Sequence, residues 1–465
     1  MAELESQIEQ LQREIDHLRA DNAHLRGQNE QLHGENARLR QELRQALEKV
    51  AELQGVAARQ AAPFRRREQD KVPPGERKRP GRKLGHPGAF RRLPEYVDEE
   101  IKVPLDCCPK CQGPVTDRRF LRQYIEELPP IEPYVVRLVT YRGNCQQCGE
   151  VRSTHPLQTS IAQGAAQVQL GPRALAVAAM LNKHLGLTMG NTSRVFKRLF
   201  GLSITRGGLA QALARTADKV RGCYEQLVGE IRRSPATFAD ETSWWVGGPH
   251  WWLWGFTTPE TTVYRVEPKR DSQVVKDTLG EDYAGMLVSD CLNSYDSMDC
   301  RKHKCIAHHL RAIAEARDSP GTKASQYFQD WQTFFQTVIA IYNARENFPA
   351  EDFAEKRANL EKWCDALLDR PCQQPAEEKV RNRLEKQRAH LLGCLYEPHA
   401  EPTNNRAERA LRPAVIARKL SCGNKTRRGS RTFETLASLA ATCHQRATDF
   451  VDYLTPRMAI GAPAG

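Results

Sequence analysis

Ala236-Thr237-Phe238-Ala239-Asp240-Glu241-Thr242 and Met286-Leu287-Val288-Ser289-Asp290 are the two stretches on which the fold of this chain turns. Each is a short apolar run that reaches an acid, the pattern of a buried strand leaving a sheet. Between them residues 251–256 and 261–266 also read as strands, and residues 272–279 as a helix. Strands followed by a helix and a further strand predict an α/β sheet. Two aspartates at the ends of neighbouring strands then meet at one sheet edge, where such folds hold their sites. Glu241 and Asp296 are the acids nearest in sequence that compete for the role. Glu241 directly follows Asp240, so on a strand it points to the opposite face. A lone aspartate after a strand is usually a turn residue or a helix cap, so the pair needs a third element.

That element is Thr403-Asn404-Asn405-Arg406-Ala407-Glu408-Arg409-Ala410-Leu411-Arg412-Pro413. Asn404 or Asn405 can cap a helix carrying Glu408 in its first turn or so. Glu408 then faces the sheet edge, with Arg409 and Arg412 nearby to meet phosphate. Between Asp290 and Glu408 lie 117 residues, more than a compact sheet needs. Residues 323–395 within them are helical in pattern. Trp331, Phe334, Phe335, Ile339 and Tyr342 make an apolar stripe, as expected of an insertion packing on itself and on the core. His308 and His309 fall where a helix begins after Cys305, in positions suited to packing or phosphate contact.

The chain opens with leucines at Leu4, Leu11, Leu18, Leu25, Leu32 and Leu39, seven apart without a miss. Ile8, Ile15, Asn22, Asn29, Asn36 and Leu43 follow each by four, giving a heptad with Leu at d. Glu14, Asp21 and Glu35 at g face Arg19, Arg26 and Arg40 at the next e of a parallel partner. A dimerising leucine zipper follows, in which the three asparagines fix register. From Pro63 to Arg92 no apolar period survives, and eleven Lys/Arg stand against three acids. This predicts an extended basic linker whose Arg65, Arg66, Arg67, Arg77, Lys78, Arg79, Arg82 and Lys83 can lie along DNA phosphates or in a minor groove.

Two CxxC pairs come next, Cys108-Pro-Lys-Cys111 and Cys145-Gln-Gln-Cys148. Two such knuckles complete a tetrahedral Zn²⁺ site, structural because four protein ligands leave no open position. Residues 120–128 and 134–141 read as strands of a hairpin that would bring the knuckles together. Residues 171–224 read as several helices. The break Phe200-Gly201-Leu202-Ser203-Ile204-Thr205 suits a helix-turn-helix with Arg194, Lys197, Arg198 and Arg206 beside it, a weak pattern shared with many plain bundles.

The bulk numbers agree with this layout. At 465 residues the chain predicts several domains, and 40% hydrophobic content excludes wholesale disorder. The formal charge of +12 favours a polyanion partner. The polar start and the lack of an apolar run of membrane length predict a cytoplasmic, nucleoid-associated protein. There, fourteen cysteines argue for thiols or metal rather than disulfides.

Residues 239–242 (ADET), 289–296 (SDxxxxYD), 305–311 (CxAHxxR) and 403–413 (TNNxxERALRP) resemble the insertion sequence 66 family of bacterial DDE transposases. The CxxC pairs, the GRKxGHPG string at residues 81–88 and the leading coiled coil resemble that family in the same order, so the likeness covers nearly the whole chain. Cys291-Leu292-Asn293 departs from the family's small, Gly-containing stretch, and residues 423–431 are more basic than usual there. The resemblance implies a multidomain α+β protein. Its parts are a coiled coil (1–55), the basic linker (56–95), a zinc-binding domain (96–160), a helical candidate DNA-binding segment (165–230), a ribonuclease H-like catalytic domain (235–445, with a helical insertion at about 320–398) and a C-terminal tail (446–465). It implies that Asp240, Asp290 and Glu408 form a triad for two Mg²⁺ or Mn²⁺ ions that cuts element ends and transfers a 3′-OH into target DNA. It also implies accessory proteins of the same element. A nuclease or resolvase that cuts without joining, and a DNA-binding regulator without catalysis, are the competing readings.

Overall fold

The computed structural model describes residues 24, 26–28, 30–39, 41–42, 91–160 and 168–458. The chain divides into two compact units, Met1–Ile125 and Glu126–Gly465. In the first, residues 30–39 are helical and exposed, and the heptad leucines Leu32 and Leu39 are each 55% exposed. Leu4, Leu11, Leu18 and Leu25, the linker cations from Arg65 to Lys83 and the GRKxGHPG string lie outside the described residues. Residues 91–125 form a knuckle rather than regular elements. An isolated bridge joins Cys107 to Pro114, and Cys108 N donates to Gly113 O at 2.9 Å.

The second unit begins with an antiparallel hairpin, β1 (Arg142–Cys145) and β2 (Gly149–Arg152). Residues 120–128 and 134–141, expected as strands, join no ladder among the described residues. Both segments are almost wholly exposed, so their apolar side chains have no buried face to hold a strand against. The hairpin that does form closes the second knuckle on itself.

Four helices follow: α1 (Pro172–Ala179, continued by a π-helical turn), α2 (Met189–Leu199), α3 (Arg206–Lys219) and α4 (Arg221–Arg233). The sheet is built from β3 (Ala236–Trp244), β4 (Trp251–Thr257), β5 (Thr262–Glu267), β6 (Met286–Ser289) and β7 (Arg301–Lys304). Its order is β5-β4-β3-β6-β7. The first three strands are an antiparallel meander, while β3–β6 and β6–β7 run parallel. Helices α5 (Ser272–Leu279), α6 (Asn293–Asp296) and α7 (Ile306–Arg317) connect and flank the later strands. Then come α8 (Gln326–Asn343), α9 (Ala350–Leu368), α10 (Pro375–Lys386), α11 (Asn405–Ser421), α12 (Arg427–Gln445) and α13 (Phe450–Leu454). The architecture is mixed α/β, as the strand and helix patterns predict.

Strand periodicity sorts the core into two layers. Ala239, Trp254, Phe256 and Leu287 pack with Leu213, Leu227, Ile231 and Leu436, on the face covered by α3, α4 and α12. Phe238, Met286 and Val288 pack with Ala407, and Leu253, Tyr264 and Val266 with Leu411 and Ala414, on the face covered by α11. Leu209, Leu213 and Ala217 of α3 lie in the first of these layers, so the second helix of the helix-turn-helix pattern is taken up by the core. Arg194, Lys197 and Arg198 remain exposed on α2. The insertion closes around Trp331, Phe334, Phe335, Val338 and Tyr342, packed with Leu360, Cys364 and Leu384 and with Ile306 and Ile313 of α7. Burying such side chains contributes about 1.5–3 kcal/mol each.

Gly255 sets how closely α11 approaches the sheet. A Cβ there would lie 2.9 Å from Leu411 Cδ2. Gly255→Val is expected to lift α11 and cost about 1–3 kcal/mol in urea unfolding, the usual penalty of overpacking. A variant with wild-type stability would show that this contact is slack.

Candidate active site

Asp240 stands in β3 opposite Gly255 of β4, and Phe238 pairs with Val288 of β6. Two residues beyond that pair on each strand come Asp240 and Asp290. Both therefore project from the face that α11 covers. Leu411 rests over Gly255, one helical turn after Glu408, which occupies the first turn of α11. All three acids are half-buried.

Asn404 fixes the start of α11. It is fully buried, donates Nδ2–H to Ala239 O at 2.7 Å and donates its backbone N–H to Cys305 Sγ at 3.1 Å. Its own carbonyl accepts from Glu408 N at 3.2 Å. Asn404 does hold the N-cap position, but its side chain makes no cap bond. The amide instead ties the helix to β3 one residue before Asp240.

The rival acids are already committed. The Glu241 side chain is 1% exposed, pairs with Arg270 Nη2 at 2.5 Å and accepts from the Tyr295 hydroxyl at 2.5 Å. Asp296 pairs with the fully buried ammonium of Lys304 at 2.7 Å. Burial pushes the Asp296 carboxyl up, yet Lys304 and Gln387 leave it below its ordinary value. Lys304 also donates to Ser289 Oγ at 3.2 Å and to Asp290 O at 3.0 Å, bracing the end of β6.

Asp240 has no such partner. It accepts from Glu241 N at 2.9 Å, and Asp290 accepts from Leu292 N at 2.9 Å. Burial pushes Asp240 up to about 8, and the charges of Glu241, Asp290 and Glu408 push the same way. Carboxylate oxygens are the ligand type that a hard divalent cation takes. Among the described residues no three His, Cys, Asp or Glu side chains are gathered tightly enough to grip an ion.

Around this centre His308 is held low by burial and by Arg311, while Asp290 and Glu408 favour its protonated form. His309 is buried, stacks on Phe335 with ring centroids 5.6 Å apart and is pushed down by burial to about 3, a packing residue. Arg409 and Arg412 are exposed on α11, whereas Arg406 is spent on Glu401. In each CxxC knuckle the first thiol is lowered by backbone N–H groups, Cys108 by those of Cys111 and Lys110, Cys145 by those of Cys148 and Gln147. Cys108 and Cys111 belong to the first unit, Cys145 and Cys148 to the second. Sequence reasoning missed Gly255, Lys304 and the anchoring role of Asn404. A glycine inside an apolar strand and a lysine at a strand end were the available signals.

Acids on one face of a mixed sheet, covered by a helix from far along the chain, make a carboxylate-centred candidate site on an α/β fold. The chain matches the family described as Transposase IS66 family over residues 167–432, more than half its length, and it belongs to that family. It is also 23% identical over 433 residues to an uncharacterized protein, y4qI, of Sinorhizobium fredii (strain NBRC 101917 / NGR234), covering 83% of this chain and 76% of that protein. Membership of a transposase family carries DNA as partner and divalent metal use in general. No described helix is long and apolar enough to cross a membrane.

Raised above its ordinary value of 3.8, the Asp240 carboxyl resists ionisation more in the folded chain than in the unfolded one. Its contribution to stability is therefore full below about pH 4 and lost as pH rises through about 8. Without divalent ions, Asp240→Asn should melt above wild type near pH 8.5 and close to it near pH 5. Mg²⁺ should raise the wild-type midpoint and leave the variant's unchanged. Identical melting at both pH values would overturn the assignment of strain to this carboxyl.

Proposed function

We propose that this transposase cuts the ends of its element and joins the freed 3′-OH to target DNA at one site formed by Asp240, Asp290 and Glu408, on a ribonuclease H-like core. The observation that carries the proposal is the placement of Asp240 and Asp290 on the face that α11 covers, where burial and the charges of Glu241, Asp290 and Glu408 push the Asp240 carboxyl up to about 8, while Glu241 and Asp296 each have a cation of their own. A sheet whose antiparallel meander leads into two parallel strands supports the fold assignment.

Asp240 would hold both of two Mg²⁺ or Mn²⁺ ions, with Asp290 and Glu408 holding one each. When bound, such ions lower the pKa of the attacking oxygen and stabilise the leaving one. The chain's own residues set the geometry. Strand register fixes Asp240 beside Asp290, Asn404 fixes the height of Glu408, and Lys304 braces the backbone of Asp290. Arg409 and Arg412 supply cations for the DNA phosphates flanking the scissile bond. In the first step water attacks the phosphorus at the element end and the 3′ oxygen departs as a free 3′-OH. In the second that 3′-OH attacks a target phosphodiester and displaces its 3′ oxygen, in line, at the same carboxylates.

The remaining parts position DNA. Exposed Leu32 and Leu39 support a parallel coiled-coil dimer or higher oligomer, and the linker cations, Arg65 to Lys83, are the DNA-tracking arm. Cys108, Cys111, Cys145 and Cys148 are proposed as structural Zn²⁺ ligands, supported by the lowered first thiol of each knuckle. Accessory proteins of the element and a nucleoid location complete the reading.

With element-end duplexes and Mg²⁺, wild type should nick the end and, given a pre-cut 3′-OH, yield joined product. Glu408→Gln should lower both by at least about a thousandfold, the scale expected for losing a group that stabilises the transition state. Cutting without any joining marks a nuclease, and full biological activity of Asp240→Asn marks a regulator. Metal analysis of the full chain should return about one zinc, lost in Cys145→Ser; a value under half an equivalent removes the zinc assignment.

A further inference from the structure

The turn between β3 and β4 carries a side chain that the catalytic reading leaves unused. Trp244, the last residue of β3, is buried at 4% exposed, and Trp245, just past the end of the strand, is 37% exposed. The turn is held rigidly by the loop between α11 and α12. Asn424 N donates to Trp245 O at 2.9 Å, Gly247 N donates to Asn424 O at 3.0 Å, and Trp244 Nε1 donates to Asn424 Oδ1 at 2.8 Å. Gly423 adopts φ 97° there, and a Cβ on it would meet Trp245 O at 2.5 Å, so only glycine lets the two segments close.

The segments that form this surface are rich in cations, of which Arg427 pairs with Glu267 and Arg428 with Asp218. From residue 409 to residue 433 there are eight Lys/Arg and no Asp or Glu, and residues 242–256 contain no acid. Lys419, Lys425 and Arg431 are exposed, and no carboxylate pairs with them among the described residues. An exposed tryptophan on a rigid turn within a basic field is the arrangement that stacks on a nucleobase beside a bound phosphate.

We propose that Trp245 stacks on a base of the bound DNA, with Lys425 on the neighbouring phosphate, about five nucleotides from the scissile bond. Trp245 follows the last residue of β3, five residues on from Asp240, about 16 Å at the rise of an extended chain. One strand of duplex DNA advances about 3.4 Å per nucleotide, which gives the spacing of five. Because Asp240 and the turn share one strand, the spacing is set by backbone geometry. A base that stacks on an indole has left its own helical stack, so the ligand is DNA opened or kinked near its cleaved end. The inference rests on the proposed cutting by Asp240, Asp290 and Glu408.

Full-length protein on synthetic element-end duplexes, with 5-iodouracil at successive positions beside the cleavage site, provides the test. Photocrosslinking should peak about five nucleotides from the cut and map to the Trp245 peptide. Trp245→Ala should weaken binding roughly tenfold, Trp245→Phe much less, with the thermal midpoint of both unchanged. Lys425→Ala should reduce the slope of log affinity against log salt by about one. Duplexes that are bound and cut without any crosslink to this turn, or unchanged affinity in Trp245→Ala, would overturn this contact and leave the catalytic assignment standing. A chain that neither binds nor cuts the duplexes refutes both.

Discussion

The bond from the Asn404 amide to the carbonyl of Ala239 joins the last part of the α/β core to the first. Both groups are buried, so each loses water on folding and must find its partner in the protein. That requirement places the start of α11 at one height over β3, and Gly255 lets the helix settle there through Leu411. Strand register contributes the other coordinate, since Asp240 and Asp290 follow a parallel pair and share its face. Three side chains from residues 240, 290 and 408 thereby share one face with no hydrogen bond passing directly between them.

The acids around this point differ in the partners the fold gives them. On the far face Glu241 is satisfied by Arg270 and Tyr295, and at the end of β6 Asp296 is satisfied by Lys304. The near face keeps its repulsion. Removing a charge from water is costly without a partner, and the fold leaves that cost on Asp240 in particular. Acids of the same type, adjacent in sequence, thus differ in character because strand geometry sends them into different surroundings.

Much of this was legible in the sequence. The apolar runs before Asp240 and Asp290, the opposite orientation of Glu241 and the aromatic stripe of the insertion all rest on short-range periodicity, which survives folding. The strands expected at residues 120–128 and 134–141 did not form, because an apolar pattern does not say whether the fold supplies a surface to bury it. Asn404 read as a helix cap, a local role, and its amide is used at long range on β3. Lys304 was invisible for a related reason. Nothing local distinguishes a lysine that will be buried against Asp296 from one left in water.

The order of the three acids along the chain has a consequence for synthesis on the ribosome. The two aspartates emerge early and can take their places as soon as β3 and β6 pair. Glu408 emerges only after the entire helical insertion and cannot be supplied by any shorter product. A chain that ends within the insertion lacks Glu408 together with α11 and α12, and so lacks the side chains of Ala407, Leu411 and Leu436 that complete both layers of the core.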